Sequence, residues 1–483
     1  MTAPIQIQQL ARVVGGQFMY APLHPTYMTN FSIDTRTLKK GDVYVAIKGE
    51  HFNGNDFVEK AFLKGACCAI VSRVRWQRGG SSRDESVEEG PGPLITVSDT
   101  TQALAKLGNF FRRKLRAKVI AVTGSLGKTA ARELIYAVLR RAGKAYRSIN
   151  NYNNIYGLPL SIFGAKADCE YLILELGMSA KGEIAQLADI CQPDIGVVTN
   201  VSICHTEFFE SLEDVADAKA ELFAKLPRTG ALFLNADDAR LQSRSHLAKC
   251  GVVNFGLSSG DFQAENLESL GEAGTAFAVT HRGESFSFRC PLLGVHNVKN
   301  ALAAVAVGRH LGMSSEDIAD GLLNTSPLPH RLNLVTSLDG RLKILDDSYN
   351  SSPGALRAAI DTLLALRDKV EPKRPVILVL ADMLELGEIA ESEHYKIGIF
   401  IASRAIDRLL LLGPLSEHIA NGARDSGMSS DRMQQTPSVF DLRESLDEIK
   451  GGAWVLVKGS RVWALDRLVH NLCEKSHQDL VSN

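Results

Sequence analysis

Between Lys118 and Leu139 the chain reads KVIAVTGSLGKTAARELIYAVL. Four apolar residues, VIAV, have the continuous pattern of a buried parallel strand. AARELIYAVLRRAG then has helical spacing and ends on a glycine stop. Between them TGSLGKT has the composition of a phosphate-binding loop in the strand-to-helix context that such a loop requires. Backbone N–H groups and the helix N-terminus would cradle phosphate oxygens. Lys128 would reach the β- and γ-phosphates, and Thr129 would hold Mg2+. The loop is short. In G-x-x-x-x-G-K-[ST] the first glycine stands six residues before the lysine, whereas Val122 occupies that place here and Gly124 is the first glycine. The plain alternative is a glycine-rich turn with a chance Gly-Lys-Thr.

A strand-loop-helix unit of this kind belongs in an open parallel sheet, and the rest of the chain supplies one. YLILEL, IGVVTN and ALFLN alternate with helical patterns after KVIAV. At 483 residues the length suits about three domains. We expect a small mixed α/β domain over 1–98, a central parallel-sheet nucleotide domain over 99–326 and a Rossmann-like α/β domain over 327–483. Arg78–Pro93, RGGSSRDESVEEGPGP, reads as a mobile surface loop. Val252–Pro291 is β-leaning but irregular, and HNVKNALAAVAVGRHLG closes the second block as a helix. NTSPLPHR reads as a linker, after which RLKILDD, PVILVLADM, RLLLLG and AWVLVKGSR resume the alternation.

Charge and cysteine usage exclude several classes. Lys+Arg (54) and Asp+Glu (55) nearly cancel, so no electrostatic footprint for nucleic acid is present. No run reaches the length of a membrane span, and MTAPIQIQQLARVVGGQF lacks the apolar core of a signal peptide. Eight cysteines are scattered without a C-x-x-C pair, as expected of reduced, mostly buried thiols in a cytoplasmic protein. No exposed apolar stripe demands a partner, so a monomer is expected.

Polar residues collect at strand ends, where ligands of open α/β sheets bind. Glu175 ends YLILE and suits a Mg2+ beside the phosphates, or else caps a local turn. His205 follows IGVVTNVSIC and is a metal or phosphate contact, or merely structural. Lys219 falls inside the apolar stripe of Leu212, Val215, Leu222, Phe223 and Leu226. Spacing alone favours a snorkelling lysine over one placed for chemistry. Asn297 and Asn300 share a helix face, to read a base or, for Asn297, to cap the helix. Arg331 sits on the linker. Asp346 and Asp347 end a strand ahead of the SYNSSP turn, and Lys458, Ser460 and Arg461 end another, which favours a carboxylate or phosphate ligand.

In order along the chain, TGSLGKT, the ELG that contains Glu175, NVSICH, GVHNVKN, PHR and DDSYNSSP resemble the Mur ligases, which form amide bonds in peptidoglycan precursors. The short phosphate loop is a mark of that family. DDSYNSSP, ADMLELGE, KGSR and the first-block IDTRTLKKGDVYVAIKGEHFNGNDF are most similar to the branch that joins D-Ala-D-Ala to UDP-MurNAc-tripeptide. The resemblance spans nearly the whole chain and implies a bacterial, cytoplasmic, ATP- and Mg2+-dependent ligase. By motif, Gly124, Ser125, Leu126, Gly127, Lys128 and Thr129 bind ATP phosphates, and Glu175 and His205 coordinate magnesium. Lys219 matches a lysine carbamylated in many members, which overrides the snorkelling preference. Asn297 and Asn300 lie beside adenine, Arg331 near the γ-phosphate and Asp346 at the ribose. Asn151, Asn153 and Asn154 face the muramoyl-peptide; Asp34, Thr35 and Arg36 bind the UDP-sugar. Asp347, Asn350, Lys458, Ser460 and Arg461 line the acceptor side. Departures from the family pattern are Leu126, Ala130, Thr35, Ala381 and Cys204, none of which removes a charged group. Domain closure would expel water from the reaction. The rivals are a sister ligase, adding the third stem residue or glutamate to folate, and a nucleotide-binding protein without catalysis.

Overall fold

The computed structural model describes residues 5–73, 91–203 and 209–474. Three large sheets, each covered by helices, carry the chain, as the alternation predicts, and a two-stranded pair of 5–6 with 27–28 accompanies them. In the first, strands run in the order 17–20, 94–97, 68–72, 43–45, 31–32. All neighbours are parallel except the first pair. Phe31 from this unit packs between Phe111 and Phe163 of the next, with ring centroids at 5.4 and 4.3 Å. A continuous apolar core therefore joins the first two units.

The central sheet has nine strands in the order 284–290, 275–281, 262–269, 251–256, 231–235, 195–198, 118–123, 171–175, 145–147. The seven from 262–269 to 145–147 are parallel. The last two additions are antiparallel. Val252–Pro291 is thus β, as its pattern suggests, and extends the sheet; it is irregular where the pairing of 262–269 with 275–281 shifts register between Glu265 and Glu268. Its Thr275–His281 strand alternates buried and open positions.

Lys118–Thr123 lies in the middle, flanked by Tyr171–Glu175 and Ile195–Val198. Val119 to Thr123 are fully buried, which is why this segment reads as a continuous apolar run. Its carboxyl end lies at the crevice where the chain turns from one side of the sheet to the other, the place where such sheets bind ligands.

The third sheet runs 333–336, 342–346, 453–458, 376–381, 408–412, 433–436, with only the first pair antiparallel. Its strands 342–346 and 453–458 end beside the linker. No helix among the described residues is long and apolar enough to cross a membrane. Of the described cysteines none is bridged, and burial pushes the Cys191 and Cys290 thiols up to about 12. Residues 78–90 of the surface-loop segment lie outside the described residues.

Candidate active site

The glycine-rich loop leaves the strand at Thr123 and enters the Lys128–Ala142 helix with Gly127 as its N-cap. Gly127 has φ +79°, and a Cβ there would meet Asn300 Oδ1 at 2.7 Å. The loop is braced from the neighbouring strand end. Asn200 accepts Ser125 N–H through its carbonyl and Leu126 N–H through Oδ1, both at 2.9 Å. Thr199 Oγ1 and Asn200 Nδ2 donate back to the Leu126 carbonyl at 2.6 and 2.9 Å. Those bonds consume the loop's early polar groups and leave the first-turn N–H groups of the helix to face a ligand. Lys128 Nζ meanwhile donates to the carbonyls of Gly124 and Ser125 at 2.7 and 3.1 Å.

Glu175 is buried, 2% exposed. Its Oε2 accepts Thr129 Oγ1 at 3.0 Å and Arg132 Nη1 at 3.3 Å, and its Oε1 accepts Asn153 Nδ2 at 2.9 Å. It does not cap a turn: its carboxylate partners are three side chains from two other segments, the Lys128–Ala142 helix and the loop that holds Asn153. Thr129 and Glu175 together offer hard oxygen donors at the mouth of the phosphate loop, the donor chemistry that suits Mg2+. Among the described residues no three His, Cys, Asp or Glu side chains cluster as a metal site. His205 lies outside the described residues.

These groups form one wall of a cavity of about 530 Å3, and the third unit forms the other. Ser125–Thr129, Asn151, Asn153, Glu175, Asn297 and Asn300 face Arg331, Asp347, Asn350 and Lys458 across it. Asn297 Nδ2 donates to Leu293 O at 2.7 Å and its Oδ1 accepts Asn300 Nδ2 at 2.9 Å. Asn297 is not a helix cap, because the helix begins at Val295 behind Gly294.

On the far wall Lys458, 2% exposed, pairs with Asp347 and donates to Asn350 O at 2.8 Å. Burial pushes the Asp347 carboxyl up, and Lys458 pulls it back. Arg331 lies over the Tyr349 ring at 4.0 Å.

Other expected residues stand outside the cavity lining. Asn154 Oδ1 accepts Gly157 N–H at 2.9 Å and so shapes the start of the next helix. Asp346 is buried against His330. Ser460 Oγ accepts Leu384 N–H at 2.8 Å, and Arg461 pairs with Asp466 at 2.9 Å. Asp34 and Arg36 pair with each other at 2.7 Å on the first unit, beside the buried Thr35, and the Arg36 guanidinium holds the Asp34 carboxyl below its ordinary value. Lys219 is 2% exposed, which overturns the snorkelling reading: a snorkelling head reaches water.

Sequence reasoning missed Arg132, Asn200, His296, His330, Tyr349 and Glu385. All but Arg132 sit in the quoted runs NVSICH, GVHNVKN, PHR, DDSYNSSP and ADMLELGE, which was the available signal; the left-handed backbone of Glu385, φ +63°, at the cavity wall is a tertiary fact.

Comparison with known proteins agrees with this geometry. Residues 28–112 match the Mur ligase family catalytic domain, 122–308 the Mur ligase middle domain, and 330–461 the Mur ligase glutamate ligase domain. The UDP-N-acetylmuramoyl-tripeptide–D-alanyl-D-alanine ligase of Bacillus subtilis (strain 168) is 35% identical over 97% of this chain and 98% of its own length. A crystal structure of MurF from Acinetobacter baumannii superposes with a TM-score of 0.85 at 27% identity, covering 97% and 98% of the two chains. MurF from Thermotoga maritima, solved in complex with ADP, superposes with a TM-score of 0.77 at 26% identity over 92% and 96%. A short phosphate loop facing a polar wall from a third α/β unit, with similarity that runs from end to end, leaves one assignment: the chain belongs to the Mur ligase family.

Proposed function

We propose that this chain is an ATP-dependent ligase that joins D-Ala-D-Ala to UDP-MurNAc-tripeptide and releases ADP and phosphate. The observation that carries the reading is the shared cavity, in which the phosphate loop of the second unit faces Arg331, Asp347, Asn350 and Lys458 of the third. An acceptor held on the third unit meets a donor activated on the second. The named relatives, similar over nearly their whole length, choose the substrates.

A carboxylate is a poor acyl donor because oxide cannot leave. Transfer of the γ-phosphoryl group gives an acyl phosphate, which the dipeptide amine attacks as phosphate departs. The difficulty is the approach of phosphate oxygens to a carboxylate, and this chain places cations on both sides of it. Lys128 exchanges its loop carbonyls for phosphate oxygens. Arg331, preset on Tyr349, reaches from the linker. The helix N-terminus at Lys128 and Thr129 supplies N–H groups.

Bound Mg2+ would neutralise phosphate charge, and Thr129 and Glu175, with His205 and a carbamylated Lys219, are the residues that would hold it. Asn297 and Asn300 border the adenine. Asp346, assigned to the ribose by resemblance, anchors the linker as placed here. Asn151 and Asn153 face the muramoyl-peptide, with Asn154 shaping their loop. Asp34, Thr35 and Arg36 hold the UDP end. Lys458 and Asp347 receive the acceptor, with Ser460 and Arg461 behind them.

The test is phosphate release by the purified protein with ATP, Mg2+ and UDP-MurNAc-tripeptide, with and without D-Ala-D-Ala. Release that needs both substrates, with the pentapeptide product seen by mass, is expected. Turnover with a single amino acid or a folate instead would move the chain to a sister branch.

A further inference from the structure

Arg132 lies one helical turn beyond Lys128 and on the same face. Its side chain is 5% exposed. Nε and Nη2 donate to Glu133 Oε1 at 3.0 and 2.7 Å. Glu133 also accepts Arg147 Nε at 2.7 Å, and Arg147 lies over the Tyr136 ring at 4.1 Å. That side of the guanidinium is therefore fixed. The remaining Nη1 is shared between Glu175 Oε2 at 3.3 Å and the Asn150 carbonyl at 2.8 Å.

Neutralising Glu175 needs a charge but not this sharing. The Asn150 contact has a separate consequence. Asn150 is left-handed, φ +49°, and opens the turn that sends Asn151 and Asn153 into the cavity. Asn153 then returns to the other oxygen of Glu175 at 2.9 Å. Glu175, Arg132, Asn150 and Asn153 thus form a closed ring of contacts between the phosphate-loop helix and the loop after Arg147. A rigid planar fork held from one side transmits a displacement of either acceptor to the other.

We propose that Arg132 is a positioning residue that couples the nucleotide side of the cavity to the loop facing the sugar-peptide, so that filling one side favours binding at the other. This rests on the reading above, in which Glu175 faces the nucleotide's cation and Asn151 and Asn153 face the sugar-peptide. A shift of Glu175 toward a bound cation moves Nη1 and, with it, the Asn150 carbonyl. By linkage the reverse effect has equal size.

The experiment is calorimetric binding of UDP-MurNAc-tripeptide to the full chain, with and without Mg2+ and a non-hydrolysable ATP analogue. Wild type should bind the sugar-peptide on the order of tenfold tighter when the analogue is present. Arg132→Lys keeps the charge but cannot hold Glu133, Glu175 and Asn150 at once. It should keep both separate affinities within about threefold while the coupling falls to near one. Arg132→Gln leaves Glu175 without its cation, so it should lose coupling and melt at a lower temperature.

Wild type that binds both ligands independently overturns the inference without any variant. So does Arg132→Lys with coupling intact. Wild type that binds no UDP-MurNAc-tripeptide overturns the functional reading, and this inference with it.

Discussion

His330 presents Nδ1 to the carboxylate of Asp346 at 2.8 Å, across the linker between the second and third units. Asp346 also accepts the N–H and hydroxyl of Ser348, at 3.1 and 2.6 Å. His330 is left-handed at φ +59° and Leu332 at +49°, conformations that cost a non-glycine residue about 1 kcal/mol or more each. Both are tied to the same strand end. His330 O accepts Tyr349 N–H at 3.0 Å, and Leu332 N–H donates to Asp347 Oδ1 at 3.2 Å. Arg331 is therefore clamped from both sides. His330→Ala should release it and leave a buried carboxylate short of a partner, a loss of about 1–3 kcal/mol. The expected result is roughly a tenfold rise in KM for ATP with little change for the sugar-peptide, read by steady-state kinetics, and a lower melting temperature.

Among the described residues the hydrogen bonds of the Lys128 ammonium go to two carbonyls of its own loop. Water at the cavity wall can replace it there, so Lys128→Ala should melt close to wild type. The kcat should nevertheless fall about 100- to 1000-fold, the usual cost of deleting a preorganised charge at developing oxyanions. A variant with normal kcat would remove Lys128 from phosphoryl transfer.

Gly124 has φ +148°, and a Cβ there would lie 1.9 Å from Thr199 Oγ1, which donates to Leu126 O. Gly124→Ala should break that brace and weaken ADP binding by on the order of tenfold or more. Affinity for a UDP ligand at the first unit should stay unchanged. Equal losses at both would indicate global damage instead.

How much of this was visible in sequence depends on where each residue's partners lie. VIAV and LILE read as strands because parallel strands buried on both faces are continuously apolar. The phosphate loop read as a site because Gly124 and Gly127 meet local backbone needs. Arg132 did not. Within AARELIY a charged residue looks like a solvated helix face, and only Glu175 and Asn150, distant in sequence, make it a buried one. His330 and Tyr349 were hidden for the same reason: one acts through a strand end sixteen residues on, the other through a stack. Lys219 was noticed by its position in an apolar stripe, but helical spacing cannot tell a buried head from a snorkelling one.

Lys219 supplies a gas-dependence test. A carbamate forms when an unprotonated amine adds CO2 with loss of a proton, and its anion suits a magnesium site better than an ammonium does. The protein should lose activity when assayed in CO2-depleted buffer and regain it on adding bicarbonate. Lys219→Ala should have low activity under both conditions. Wild type indifferent to CO2 would leave Lys219 as an unmodified buried amine.

His296 gives the pH dependence. It stands at the wall between the main cavity and a second one of about 400 Å3, under the Leu267–Thr275 stretch and the Pro353–Val370 helix. Burial, with Lys458 and Lys299 adding to it, pushes its imidazole down to about 4. The folded state therefore holds a neutral ring where the unfolded chain, at about 6.5, takes up a proton. Its contribution is fully present above pH 6.5, is lost as pH falls from about 6.5 toward 4, and changes no further below that. The shift corresponds to at most about 3 kcal/mol, and water in the cavity screens part of it. His296→Gln has no proton to gain. Its melting temperature should therefore fall less steeply than that of wild type between pH 6.5 and 4, measured by calorimetry at matched ionic strength. Parallel curves through that window would mean that the ring is already hydrated in the folded protein.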